Sequence, residues 1–354
     1  MKSDGREFIR KYHDLYERWF ERRPQVFLCP FTGKDALRLD ELCMAHVIPA
    51  RVGVWPEVRV PQRADVDAYF GRTLDVDFHH MVTRARRGLA GYLETSRYVR
   101  FTFTHDGQLQ TAKGYPQGTM TGEQIRKRGQ TPLLIELDGE AVPLAFAVTG
   151  SVAALQAALE DPHAAVTITP VVNDGSMTVP SAALVRAGAL MLFRRSPGML
   201  ISNNLLGWLL DPFRKAFEEN LKRRDLAAAY QRFDGSVKFM MRGAAPGQSR
   251  LDSLSSDLFL VHTFGATFPD GVPFAVSAFL RSDTGHTLAI TLPWSTRPEN
   301  SDICLDWYRA YQQDPGLPHQ TVVARLEFDR WRVFRGSPDN EDDAVGYTFG
   351  CKPA

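Results

Sequence analysis

Three observations predict an α+β fold for this chain of 354 residues. Residues 5–22 place Phe8, Ile9, Tyr12, Leu15, Tyr16, Trp19 and Phe20 at helical offsets, which makes one apolar stripe. From residue 98 onward, apolar and polar residues alternate around Asp-Gly pairs, the pattern of antiparallel hairpins. Between these regions, 26–60 holds short apolar runs broken by Pro30, Gly33, Pro49, Gly53 and Pro56, which reads as turns and short strands. The expected organisation is a mixed N-terminal module over 1–95 and a larger α+β domain over 96–354, whose role the sequence does not reveal.

Taken in order, the first helix ends before Pro24, which cannot continue it. Residues 66–95 again carry helical periodicity, with breaks expected at Gly71 and near Gly88. VRFTFTHDGQLQTAKG and LLIELDGEAVPLAFAV each read as a hairpin, and AAVTITPVV as a strand. Helices are expected at 180–194 and 205–230, the second with an amphipathic run of Trp208, Leu209, Phe213, Phe217 and Leu221. Strands follow at 236–242, 257–268, 273–281 and 286–292, then a helix near 303–312 and strands at 321–336 and 345–350.

Composition narrows the function classes. With 44% hydrophobic and 23% charged residues the chain can bury an ordinary core and needs no staple. A net charge of +1 means that any basic surface must be local. Cys29, Cys43, Cys304 and Cys351 form no CxxC pair and no disulfide framework. The N-terminal residues are charged throughout, with no apolar core of a signal peptide, and the most apolar run, 182–193, is interrupted by Arg186 and too short to span a bilayer. A cytoplasmic chain with no membrane partner is expected. Phosphate-loop, dinucleotide-glycine and nucleophile-elbow patterns are absent from the sequence.

The chemically informative run is Cys29-Pro-Phe-Thr32-Gly33, then His46-Val-Ile-Pro49, then Asp67-Ala-Tyr-Phe-Gly71. It resembles the HNH endonuclease family, in the branch with two zinc-binding CxxC knuckles. The resemblance spans 29 to about 80 and implies a small ββα module around a metal. It also implies a metal-dependent DNA endonuclease with His46 as general base and Asp67, at the family's Asn position, as a metal ligand. His79 or His80 would complete the metal site, and the cation would be Mg²⁺ or a similar divalent ion. Part of the later helix, AALVRAGALMLFRR, is similar to the body that follows this module in bacterial members. The chemistry needs a neutral imidazole to take a proton from water at pH 7 and a cation to stabilise charge on the phosphate.

Several costly positions depart from the family. The knuckle positions 29, 32, 63 and 66 hold Cys29, Thr32, Arg63 and Val66, so structural zinc is not expected. The acidic residue expected before the histidine is Ala45. A rearranged site from Cys29, Cys43, His46 and one of His79 or His80 is a further arrangement. Each candidate also has a plainer reading: His46 as a partly buried histidine bonded to backbone, Asp67 as a helix cap, His79 and His80 as a polar helix face. Arg84, Arg86 and Arg87, with Arg97 and Arg100, form the densest positive cluster and are the candidates for holding a phosphate backbone. Two functions therefore stand: a DNA endonuclease of impaired activity, or a catalytically dead module that serves as a binding platform for nucleic acid or protein.

Overall fold

The computed structural model describes residues 3–20, 26–29, 31–32, 35–36, 38–49, 58–117, 121–137, 143–171, 181–197, 207–222, 225–226, 228, 238–242, 258–263, 274–281, 287–294, 310, 313–314, 320–328, 330–334, 342 and 344–348. The architecture is mixed α+β, and its sheets are antiparallel. The backbone divides into two compact units: Met1–Phe78 with Pro180–Ala354, and His79–Val179. This partition differs from a single boundary near 95, because the chain after 180 returns to the first unit. Periodicity along a sequence carries no sign of such a return.

The first unit begins with α1 (Ser3–Phe20), where the stripe buries Ile9, Tyr12, Leu15 and Tyr16. A short ladder pairs β1 (Phe27–Leu28) with β2 (Asp35–Ala36). A hairpin then pairs β3 (Leu42–His46) with β4 (Arg59–Arg63), and α2 (Ala64–Thr73) follows without a gap. The helix runs through Gly71 and ends at Leu74, after which α3 (Asp75–Glu94) begins and continues into the second unit.

The chain returns with α6 (Ser181–Arg195) and α7 (Gly207–Glu218). The rest of the unit is a seven-stranded antiparallel sheet. Its strands are β10 (Lys238–Arg242), β11 (Leu258–Thr263), β12 (Phe274–Arg281), β13 (Thr287–Trp294), β14 (Gln320–Leu326), β15 (Arg330–Phe334) and β16 (Ala344–Thr348), in the order β10-β13-β12-β11-β14-β15-β16. The single strand expected over 321–336 is two strands, since a bend at 327–328 lets β15 fold back on β14. The helix expected near 303–312 lies, apart from residue 310, outside the described residues, as does the Asp138-Gly139 turn.

Helix α6 is the hub of this unit. Phe193 meets the rings of Phe8, Tyr12 and Phe27 at centroid distances of 5.4, 6.1 and 6.0 Å. Its neighbour Gly188 faces β13, where an added Cβ would stand 2.9 Å from Leu292 and 3.0 Å from Ile290. A second aromatic group joins Phe31, Phe70 and Phe213 at 5.1–6.0 Å, which ties α2 to α7. The Tyr69 hydroxyl lies 2.7 Å from the Leu221 carbonyl and 3.0 Å from that of Ala216, where the chain leaves α7 and the Leu221 amide also donates to Ala216 at 2.9 Å.

The second unit is a five-stranded antiparallel sheet in the order β7-β8-β6-β5-β9. Hairpin β5 (Tyr98–His105) and β6 (Gln108–Pro116) turns through Asp106 and Gly107, both at positive φ (51° and 72°), as a two-residue loop of the right twist requires. β7 (Thr131–Ile135) pairs with β8 (Leu144–Gly150), and β9 (Val166–Val171) adds to β5. The short α4 (Gly122–Lys127) opens on a capping box between Thr121 and Gln124. One face of the sheet buries Phe101, Phe103, Phe146 and Val148 under Leu155 and Ala158 of α5 (Val152–Glu160) and under Ala90 and Leu93 of α3. α3 turns sharply at Gly88 (φ 50°, ψ −124°), a conformation only glycine takes readily.

The close approach at Gly188 gives a direct stability test. Gly188→Val is expected to lower unfolding free energy by about 1–3 kcal/mol in urea denaturation, because added methyl groups must displace Leu292 and Ile290. The helix-propensity gain over glycine is only a few tenths of a kcal/mol and does not offset this. An unchanged urea midpoint would show that the helix-sheet contact can relax.

Candidate functional site

The site is built on one face of the β3–β4 hairpin. The ladder pairs Cys43 with Gln62 and Ala45 with Val60 without a bulge. Alternation along β3 therefore puts Cys43, Ala45 and Val47 on one side, and Met44 and His46 on the other. Ala45, at the expected acid position, is fully buried.

Asp67 lies in the first turn of α2, where a carboxylate complements the helix dipole. It is not the capping residue: Arg63 precedes the helix, and Asp65 accepts from the Val66 amide at 2.9 Å. Arg63 in turn pairs with Asp65 at 2.7 Å. Asp67 is engaged from two sides. Arg186 Nη2 donates to its Oδ1 at 2.9 Å, and the Cys43 thiol points to its Oδ2 at 3.7 Å. The other guanidinium nitrogen, Nη1, donates to Asp75 Oδ1 at 2.9 Å. Arg186 is only 3% exposed, so one buried cation binds two carboxylates that enter from α2 and α3. A small depression beside it is lined by Val47, Pro49, Leu74, Phe78 and Ala183.

The thiol of Cys43 is pushed up to about 12 by burial and then by the Asp67 charge and hydrogen bond, so it stays protonated and donating at neutral pH. Gln62, opposite Cys43, is fully buried, and among the described residues neither its amide nitrogen nor its amide oxygen has a hydrogen-bond partner. Cys29 is also fully buried. Burial raises its pKa, while the Thr32 hydroxyl and the backbone amides of Phe31, Thr32 and Arg63 bond to the sulfur.

The expected site residues divide as follows. Asp67 is joined to Arg186 and Cys43, and His46 sits on the hairpin face opposite that thiol. His79 and His80 belong to the second unit. His80 is half-buried and held near 4, first by burial and then by the charges of Arg84 and His79. Arg84 is buried, donates to Thr95 Oγ1 at 2.7 Å and stacks on Tyr92 at 5.2 Å. Arg87 pairs with Glu94, and the Arg86 side chain lies outside the described residues. Arg97 and Arg100 are exposed. Among the described residues, no three His, Cys, Asp or Glu side chains form a group that could hold a metal ion, and no helix is long and apolar enough to cross a membrane.

Sequence reasoning missed Asp75 and Arg186 as site residues. An arginine inside the apolar run 182–193 was the one available signal, since a buried cation needs an acidic partner. Fold and site together define an α+β protein with a carboxylate pair bridged by one arginine beside a hairpin-helix unit. Comparison of the chain with protein-family models, with curated proteins and with solved structures finds no match.

Two outcomes follow from this electrostatic arrangement. Arg186→Met is expected to lower stability by about 1–3 kcal/mol at pH 7, because it leaves Asp67 and Asp75, each about a third exposed, without their shared cation. Asp67→Asn should cost less, and a smaller effect of Arg186→Met than of Asp67→Asn in urea titrations would contradict the bridge. For His80, the folded pKa is depressed from 6.5 to about 4, so its contribution to stability is present above pH 6.5 and is lost as pH falls through 4. The His80 ring resonances should titrate near 4 by NMR, and a midpoint at 6.5 would mean an open ring.

Proposed function

We propose that this chain is a nuclease-derived binding protein that does not hydrolyse phosphodiesters, with an HNH-like segment retained as a scaffold. The single observation that carries this is Arg186, whose guanidinium binds Asp67 and Asp75 at 2.9 Å each. A metal-dependent nuclease would need the Asp67 carboxylate for a divalent cation. Here its charge is matched by a fixed cation that cannot activate water, because a guanidinium has no open coordination position.

The ancestry rests on two supports. Hairpin β3–β4 leads directly into α2, the order that the family resemblance implies. The Arg63 backbone also lies near enough to Cys29 to act on its thiol, so two positions that the knuckle pattern relates, far apart in sequence, lie together. At that place the Thr32 hydroxyl bonds the Cys29 sulfur, and Val66 is fully buried. A hydrogen bond and apolar packing thus serve where zinc would have closed the turn.

Two positions on the hairpin argue the same way. Register directs His46 away from the side on which Cys43 meets Asp67, so base and carboxylate do not converge across the ladder. The buried Ala45 supplies no second acid.

The decisive experiment is cleavage of supercoiled plasmid with Mg²⁺ or Mn²⁺, using the full chain and its His46→Ala variant. Neither protein is expected to nick the plasmid. Metal-dependent cutting by the unaltered chain that disappears in His46→Ala would overturn the proposal and restore the hydrolase.

A further inference from the structure

The second unit carries a surface that the hairpin site does not use. Its sheet has two faces, of which one is covered by α5 and by the end of α3. On the opposite face, α4 covers the β8 end, where Ile125 packs on Ala145 and Ala147. The face remains open across β9, β5 and β6. Alternation fixes which side chains stand on it, because the ladder pairs Arg100 with Lys113 and with Thr169, and Thr102 with Thr111.

The chemistry of the open strands is consistent. Arg100 and Lys113 are exposed, and none of the outward residues of the three strands is acidic. Tyr98 and Tyr115 stand side by side at a centroid distance of 6.2 Å, with Tyr115 39% exposed. The Lys113 ammonium lies 5.3 Å from the Tyr98 ring centroid. Paired aromatic faces flanked by unopposed cations are complementary to a chain of bases joined by phosphates. Hydroxyls of Thr102 and Thr111 add donors and acceptors beside them.

We propose that this face binds single-stranded nucleic acid, with bases stacked on Tyr98 and Tyr115 and phosphates held by Arg100 and Lys113. A duplex read through its major groove does not fit this face. A major groove about 12 Å wide admits a helix or a two-stranded ribbon, whereas a five-stranded sheet with strands about 4.8 Å apart is too broad to enter. Bases reach the tyrosines only from an unpaired strand. The inference stands on the second unit alone and does not depend on Arg186.

The test is fluorescence anisotropy of the full chain with labelled 20-mers of oligo-dT and oligo-U and a 20-base-pair duplex, titrated across salt. Binding of either single strand more tightly than the duplex is expected, and the tighter of the two identifies the strand as DNA or RNA. The Tyr98→Ala, Tyr115→Ala double variant should weaken that binding by at least roughly tenfold. Lys113→Ala should reduce the slope of log K against log salt by about 0.7, one phosphate contact. Circular dichroism of each variant reads its fold, and Arg100→Glu, at an exposed position, provides an independent loss of binding that does not rely on the rings. Absence of single-strand binding at low salt, equal affinity for duplex, or binding unaffected by both the ring and the charge variants would overturn the proposal.

Discussion

A guanidinium keeps its charge when it is removed from water, so its burial is costly unless acceptors, best of all carboxylates, lie within hydrogen-bonding distance. Arg186 meets that condition with Asp67 on one side and Asp75 on the other. The consequence is geometric as much as electrostatic. α2 and α3 are fixed against α6 by one side chain, and α6 itself is fixed on the large sheet by the bare backbone at Gly188. The hairpin is joined to α2 by the contact of the Cys43 thiol with Asp67. Remove the arginine, and Asp67 and Asp75 lose the cation that they share.

The same arrangement shows that the electrostatics of a carboxylate on one helix can be set by a side chain far away in the sequence. Charge at a site is a sum over neighbours, including those that enter from distant parts of the chain. Asp67 and Arg186 are 119 residues apart. The motif around Asp67 describes one half of the electrostatics, and the other half lies in a helix whose sequence reads as core. The raised pKa of Cys43 follows from the same environment, as a neutral thiol is the form that can donate to a carboxylate.

Local features were legible in the sequence and long-range ones were not. The stripe from Phe8 to Tyr16 reads directly as a buried helix face, and Asp106-Gly107 as a hairpin turn, because each depends on a few adjacent residues. α4 was missed although Thr121 and Gln124 spell a capping box, since a helix of 6 residues has too little periodicity to register. α5 was missed because its alanines leave no strong apolar stripe. The positive cluster was visible, yet its members serve different ends: Arg84 and Arg87 are drawn into contacts with Thr95, Tyr92 and Glu94, while Arg100 stands open on a strand. Burial decides between those uses, and burial is a property of the fold.

The partition of the chain also bears on how the protein is made. The unit His79–Val179 is contiguous, whereas the other unit is completed only by residues from 180 onward. During synthesis the inner unit can therefore collapse on the ribosome while the hairpin and its helices still wait for their core. Until α6 and α7 emerge, Tyr12 and Phe27 lack the ring of Phe193 and Phe70 lacks that of Phe213, so the nascent N-terminal segment waits with apolar rings uncovered.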